Sequence, residues 1–146
     1  MKNFSWGGKI KFRINCSGGT RMKISQYFKT AKGRGVLATA DSSGKVDVAV
    51  YGLPHIIDEG TVAFIMTEKL THQNLQSNPH AAYLFSEEEE KYKGLRLFLT
   101  KTREEKDSEK LAQIRKKEYP ELKGKEVLVY FKVEKVLPLI GPGAES

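Results

Sequence analysis

The sequence is poor in cysteine and in long apolar runs, and each shortage excludes a class of protein. Its single cysteine, Cys16, can form neither an internal disulfide nor a cysteine-based zinc site. Apolar runs such as Val127–Phe131 are far shorter than the roughly 20 residues that cross a bilayer. The three histidines lack the pairwise spacing of metal ligands. We therefore expect no metal site and no association with a membrane.

Acidic residues are absent from the first 40 positions, which carry nine Lys or Arg residues. The rest of the chain holds 16 basic and 18 acidic residues, so the net charge of +7 comes from the N-terminal part. A body without excess positive charge argues against a nucleic-acid partner.

Residues 1–21 contain two glycine pairs and no apolar core of a secretory signal. We expect a disordered extension of a cytoplasmic protein, or translation from an upstream start with Met22 as the functional start. A transit peptide or a nucleic-acid arm is the alternative. One domain then covers 22–141, and 142–146 form a tail.

Short apolar stretches between turn residues predict a mainly β protein with six antiparallel strands and two or three short helices. The predicted strands cover 36–40, 46–57 with an irregularity at Pro54, 62–66, 81–85, 95–100 and 127–136. The helices end at Gly33, at Asn78–Pro79 and at Tyr119–Pro120, and the last one begins with a cap at Asp107–Ser108. Six such strands would close, or nearly close, into a small barrel, because closure removes exposed edges.

The stretch 66–79 is the most informative for function, since a buried strand runs directly into a short helix. A helix N-terminus has free N–H groups and a positive dipole end, which suit an anion. Lys69 precedes the helix, and Thr71 and Asn74 share a face because they are three residues apart. This set suits a phosphate. Equally, Thr71 could cap the helix while Asn74 faces water, and spacing alone leaves both interpretations open.

The order of these motifs resembles the FMN-binding split-barrel family related to pyridoxamine 5′-phosphate oxidase. The resemblance covers about 23–141, and Arg96 is similar to an arginine on a strand of that family. The matching stretches are Gly35–Lys45, Val46–Tyr51, Thr61–Met66 and Thr71-x-x-Asn-Leu-x-x-Asn-Pro79. The resemblance implies a six-stranded antiparallel split barrel that forms a homodimer and holds FMN at the subunit interface.

The resemblance also implies nine cofactor-binding residues. They are Val48, Ala49, Val50 and Tyr51 beside the isoalloxazine ring, Phe64, Met66 and Thr67 near the ribityl chain and phosphate, and Thr71 and Asn74 around the phosphate. Leu70 stands where the family often has Lys or Arg, and Lys69, which is displaced by one position, is the tenth candidate if a different backbone path compensates. The oxidase's substrate-binding residues are not recognisable, so the resemblance does not extend to that activity.

Two functions follow from a bound flavin, which would carry the redox chemistry itself. The first is an FMN-dependent oxidoreductase that exchanges electrons with a small-molecule donor or acceptor, and the alternative is a non-catalytic FMN-binding or electron-carrier protein. No catalytic residue is predicted. Haem or deazaflavin binding is a third class, in which His55 or His72 is a conceivable iron ligand.

Strands 62–66 and 127–131 are apolar on both faces, which predicts that one face meets a second subunit in a homodimer.

Overall fold

A computed structural model of the chain describes residues 13–15, 21–106, 108–115, 120–122 and 124–141. The helices are α1 (Ile24–Thr30), α2 (Leu70–Ser77) and α3 (Glu109–Ile114), with a 3₁₀ turn at Pro120–Leu122. The strands are β1 (Arg13–Asn15), β2 (Arg21–Lys23), β3 (Gly33–Ala40), β4 (Val46–Tyr51), β5 (His55–Asp58), β6 (Thr61–Thr67), β7 (His80–Glu87), β8 (Gly94–Lys106) and β9 (Glu126–Pro138). In the described part of the chain, seven strands form one antiparallel sheet in the order β4-β3-β7-β8-β9-β6-β5, and β1 pairs with β2 separately.

Tight turns join β3 to β4 and β5 to β6, and side chains stabilise each of them. Between β3 and β4, Asp41 Oδ1 accepts hydrogen bonds from the amides of Ser43 and Lys45, and Gly44 adopts a φ of +89°. Between β5 and β6, Asp58 Oδ1 accepts a hydrogen bond of 2.8 Å from the Gly60 amide. Because these bonds join residues two to four positions apart, the turns can be predicted from the sequence.

The single strand predicted over 46–57 is in fact two strands, so the sheet has seven strands where six were expected. β4 pairs with β3, whereas β5 pairs with β6 at the opposite edge of the sheet. Between them lies Pro54, which cannot donate a ladder hydrogen bond. The crossing is anchored by the Tyr83 hydroxyl, which donates to the Gly52 carbonyl at 2.8 Å.

Alternate residues of the sheet point into one continuous core, as in a closed or nearly closed barrel. Aromatic rings fill much of it: Phe64 contacts Tyr83 and Phe131 at centroid distances of 5.1 and 6.0 Å, and Phe28 of α1 contacts Phe85 at 5.4 Å. Helix α2 packs against β3, β4 and β6. It therefore bridges the two ends of the sheet, where β4 and β5 are not paired with each other.

Within the segment 1–21, residues 13–15 form β1, which pairs with β2 and lies near β9. The disordered extension expected for 1–21 stays a prediction. Residues 1–12, 16–20 and the expected tail 142–146 lie outside the described residues. The N-cap of α3 is Ser108, whose side chain accepts a hydrogen bond from the Leu111 amide at 3.0 Å. The helix ends at Ile114, earlier than predicted, and Tyr119 lies outside the described residues.

Helix α3 covers the outer side of β6 and β9. Leu111 packs there against Ala63, Leu128 and Tyr130, which are all buried. The other side of the same strands lines the barrel core. Both apolar faces are thus covered within one chain, so the reason given above for a homodimer does not apply to these two strands.

Candidate functional site

The start of α2 carries no capping side chain among the described residues. Its N-cap is Lys69, and its first turn contains no acidic residue. The first amide with a partner inside this turn is that of Gln73, which donates to the Lys69 carbonyl at 2.9 Å. The amides of residues 70–72 precede it and have no intrahelical acceptor, because a helix leaves its first N–H groups unpaired. A positive helix end beside an exposed lysine favours an anion.

Thr71 faces inward from this turn and is buried. Its Oγ1 donates to Asp47 Oδ2 on β4 at a distance of 3.2 Å. The hydroxyl proton is therefore committed to a carboxylate of the protein. Thr71 does not cap the helix, since that position is occupied by Lys69.

Asn74 lies on the same buried face, as its spacing from Thr71 predicts. Its Nδ2 donates to Thr39 Oγ1 on β3 at 3.1 Å. The alternative in which Asn74 faces water is wrong, because only 5% of the residue is exposed. Thr39 and Asp47 are paired residues of β3 and β4. Two helix side chains thus bind two neighbouring positions of one hairpin.

The other predicted cofactor residues divide between two sides of the barrel wall. Val48 and Val50 point outward and are 62% and 80% exposed. Ala49 and Tyr51 alternate with them on the inner face, where the Tyr51 ring contacts Phe64 at 5.8 Å. Phe64 and Met66 are buried in the core, and Thr67 ends β6, where its carbonyl accepts from the Lys69 amide at 2.8 Å. The structure therefore brings Tyr51, Thr71 and Asn74 together and separates them from Val48 and Val50.

Tyr51 and Asp47 interact electrostatically on the inner face of β4. Burial raises the pKa of the Tyr51 phenol; a hydrogen bond with Thr71 opposes this shift, and the negative charge of Asp47 adds to it. The phenol is therefore protonated at neutral pH and remains a hydrogen-bond donor.

A second polar cluster joins α2 to β8, and the sequence analysis missed it. His72 Nε2 lies 2.9 Å from Glu104 Oε1, while Gln76 and Lys101 donate to Glu104 Oε2 at 3.1 and 2.8 Å. The spacing of His72 and Gln76, four residues apart on a helix, was the available signal. Since Nε2 of His72 faces this carboxylate and the residue is buried, that nitrogen is not presented to an iron atom.

The pKa of Glu104 is set by this cluster. Partial burial raises it, but hydrogen bonds from Lys101, His72 and Gln76 outweigh burial and lower the pKa from 4.5 to about 2. Because the folded-state value lies below the ordinary one, ionised Glu104 stabilises the fold above about pH 4.5, and this stabilisation is lost as the pH falls toward about 2.

Glu104→Gln should therefore lower the free energy of unfolding by about 1–2 kcal/mol at pH 6, as expected for a partly exposed, charge-assisted cluster. The difference from the unmodified protein should shrink between pH 4.5 and 2. Urea unfolding at pH 6, 4 and 2.5 measures it, with Glu88→Gln in an exposed loop as the control. A difference that stays constant over this range would contradict the role of the Glu104 charge.

A contiguous apolar surface lies on the outside of β3, β4 and β7, and we call it the valine face. Register pairs Val46, Val48 and Val50 on β4 with Ala40, Ala38 and Val36 on β3, and pairs Ala38 and Val36 onward with Ala82 and Leu84 on β7. Residues directly opposite on paired strands share a face of the sheet. A shallow groove of about 290 Å³ lies on this face beside Val46. An exposed apolar surface spanning three strands is typical of an interaction site.

No protein-family model and no curated protein sequence matches the chain. Several solved structures match the fold of the chain. An FMN-binding protein from Syntrophomonas wolfei is 18% identical with a TM-score of 0.68, over 82% of this chain and 86% of that one. A putative pyridoxamine 5′-phosphate oxidase from Lactobacillus delbrueckii is 18% identical with a TM-score of 0.62, over 88% and 99%. The haem storage protein HutZ from Vibrio cholerae is 19% identical with a TM-score of 0.54, over 79% and 92%.

These likenesses define the fold. The protein is a mainly β, antiparallel split barrel of the type found in pyridoxamine 5′-phosphate oxidase-related proteins, and the predicted fold class is confirmed. One of the matched proteins is an FMN-binding protein and another is a haem storage protein, so the shared fold does not select one cofactor.

Two further properties concern the described residues alone. None of the helices there is long and apolar enough to cross a membrane. No group of three or more His, Cys, Asp or Glu side chains in that part is arranged to hold a metal ion.

Proposed function

We propose that this protein binds FMN, with the cofactor phosphate at the start of α2. The observation that carries the proposal is the uncapped N-terminus of α2 beside Lys69, at the junction of the two sheet ends. The resemblance assigns the FMN phosphate to this turn, and a solved FMN-binding protein shares the fold.

The residues at this turn fit a phosphate in part. The backbone amides of residues 70–72 and the exposed Lys69 ammonium would hold it, because both favour negative charge. The Thr71 hydroxyl is already bound to Asp47, and one Asn74 amide hydrogen is bound to Thr39. These two side chains therefore position α2 against the hairpin, whereas the helix backbone and Lys69 offer the charge. Bound FMN would supply one- or two-electron transfer.

FMN should bind at least about tenfold more tightly than riboflavin, since a phosphate adds charge-assisted hydrogen bonds worth about 1.5–3 kcal/mol each. Quenching of flavin fluorescence during titration of the purified protein measures both affinities. Equal affinity for the two flavins would exclude a phosphate site at α2. Addition of hemin in parallel tests the alternative, because a Soret band with no flavin binding would favour haem.

We propose further that the valine face is the contact between two copies of this chain and that the flavin lies at their interface. A second copy is the occupant favoured by the surface itself, since the exposed side chains there are aliphatic and small. Val48 and Val50, assigned to the flavin ring by the resemblance, lie on this face while Tyr51 and Thr71 lie behind the same strand. A partner on the valine face would therefore cover Val48 and Val50, whereas Tyr51 and Thr71 would stay on the inner side of β4.

For activity, we propose an oxidoreductase that exchanges electrons with a small molecule, and an electron carrier is the second candidate. Anaerobic mixing of the FMN-loaded protein with NADH or NADPH separates them. Rapid bleaching of the flavin followed by turnover with an acceptor supports an enzyme. Photoreduction that proceeds normally while neither nucleotide bleaches the flavin supports a carrier.

A further inference from the structure

Asp47 lies between the start of α2 and the β3–β4 hairpin, and the proposed function leaves it without a role. Its Oδ2 accepts the Thr71 hydroxyl at 3.2 Å, and it is only half-buried on the inner face of β4. Its charge reaches Tyr51, whose phenol pKa burial raises first and Asp47 raises further. None of the ion pairs among the described residues includes Asp47. Within that part of the chain, Asp47 is thus a carboxylate without an ion-pair partner, next to the turn proposed for phosphate.

The Thr71 hydroxyl has one proton, and it is donated to Asp47. A phosphate group could receive that proton only if Asp47 gave it up. Even then, the negatively charged carboxylate would remain on the side chain next to Thr71, and it would repel a phosphate dianion bound at the start of α2. Both effects act against a ligand that ends in phosphate. Neither acts against the uncharged end of riboflavin.

We infer that Asp47 is a specificity-determining residue that weakens binding of phosphate-bearing flavins. Asp47 lowers the ratio of FMN affinity to riboflavin affinity, and it increases the rate at which bound FMN dissociates. The inference rests on the flavin binding proposed above, and it states that Asp47 determines how tightly FMN binds. Lys69 and the α2 amides attract the phosphate, and Asp47 opposes them.

The test uses the full-length protein and its Asp47→Asn variant, with FMN and riboflavin as the two probes. Asn keeps the size of the side chain and an oxygen that accepts the Thr71 proton, so that only the charge is removed. FMN should bind at least about tenfold more tightly and dissociate more slowly, because one repulsive unit charge has gone. Riboflavin affinity should stay within about twofold, since no second charge is present.

Asp58→Asn is the matched control, with the same change of charge on an exposed residue. Asp58 is paired with Thr61 at the start of β6, whereas α2 follows the other end of that strand. Six residues of strand place it about 20 Å from the α2 turn. The ratio of FMN to riboflavin affinity should therefore be unchanged in this variant, as judged by the same fluorescence titration.

The outcomes separate this inference from the proposed function. A higher FMN to riboflavin ratio in Asp47→Asn alone supports the inference. An unchanged ratio, or an equal rise in Asp58→Asn, overturns it while flavin binding stands. Failure of every variant and of the unmodified protein to bind either flavin overturns both. If Asp47→Asn does not fold, as judged by its melting curve, Asp47→Ser removes the same charge and is held to the same outcomes.

Discussion

Gly35→Ala is expected to lower the free energy of unfolding by about 3 kcal/mol or more, the upper end of what overpacking costs. A Cβ at this position would lie 2.1 Å from the Tyr83 hydroxyl oxygen and 2.4 Å from Cζ of the same ring. Tyr83 is fully buried and cannot move aside without losing its hydrogen bond to the Gly52 carbonyl. Burial also raises the pKa of the Tyr83 phenol, so the group stays a donor.

Urea unfolding of the two proteins measures this effect, and Gly52→Ala is the control. A Cβ at Gly52 would meet nothing within 4 Å, so that variant should stay within about 0.5 kcal/mol of the unmodified protein. A Gly35→Ala protein as stable as the control would show that β3 and β7 can separate without cost. In that case, the close packing of Gly35 against Tyr83 would not be needed to keep the Tyr83 hydroxyl bonded to the Gly52 carbonyl.

Val48→Asp should convert the proposed dimer to a monomer at micromolar concentration. Val48 pairs with Ala38 at the middle of the valine face, and burying a carboxylate there without a partner charge costs several kcal/mol. The fold itself should be unaffected, because Val48 is 62% exposed in the single chain. FMN affinity should fall along with dimerisation if the flavin lies at the interface.

Light scattering coupled to gel filtration measures the mass, and Ile140→Asp provides the control. Ile140 is 57% exposed but follows β9 and does not belong to the valine face. It should leave the dimer intact. An unmodified protein that is already a monomer would refute the homodimer. A dimer that survives Val48→Asp would place the subunit contact on another surface.

Local sequence patterns predicted most of the elements because their stabilising interactions are short in range. The Asp41 turn bonds residues two and four positions away, and Ser108 bonds an amide three positions away. Alternation along β3 and β4 follows from the two-residue repeat of any strand. Each of these interactions involves only residues a few positions apart, so a single sequence is enough to predict them.

Contacts between segments that are distant in the chain could not be predicted from local sequence patterns. The bond from Thr71 to Asp47 joins residues 24 positions apart, and that from Asn74 to Thr39 joins residues 35 apart. The sequence placed Thr71 and Asn74 on one face of α2 but could not say what that face meets. The same holds for His72 and Glu104, which are 32 positions apart. Each pair depends on how the sheet curls, and no spacing rule contains that information.

The sequence by itself determined most of the strands and helices and the position of Lys69 immediately before α2. The tertiary structure decided that the chain breaks at Pro54 and places β4 and β5 on opposite edges of the sheet. It also decided that α3 covers β6 and β9, whereas the valine face stays exposed in the single chain. The physical reason is that periodicity specifies which side of an element is apolar, whereas closure of the barrel and docking of α3 decide which apolar side is covered.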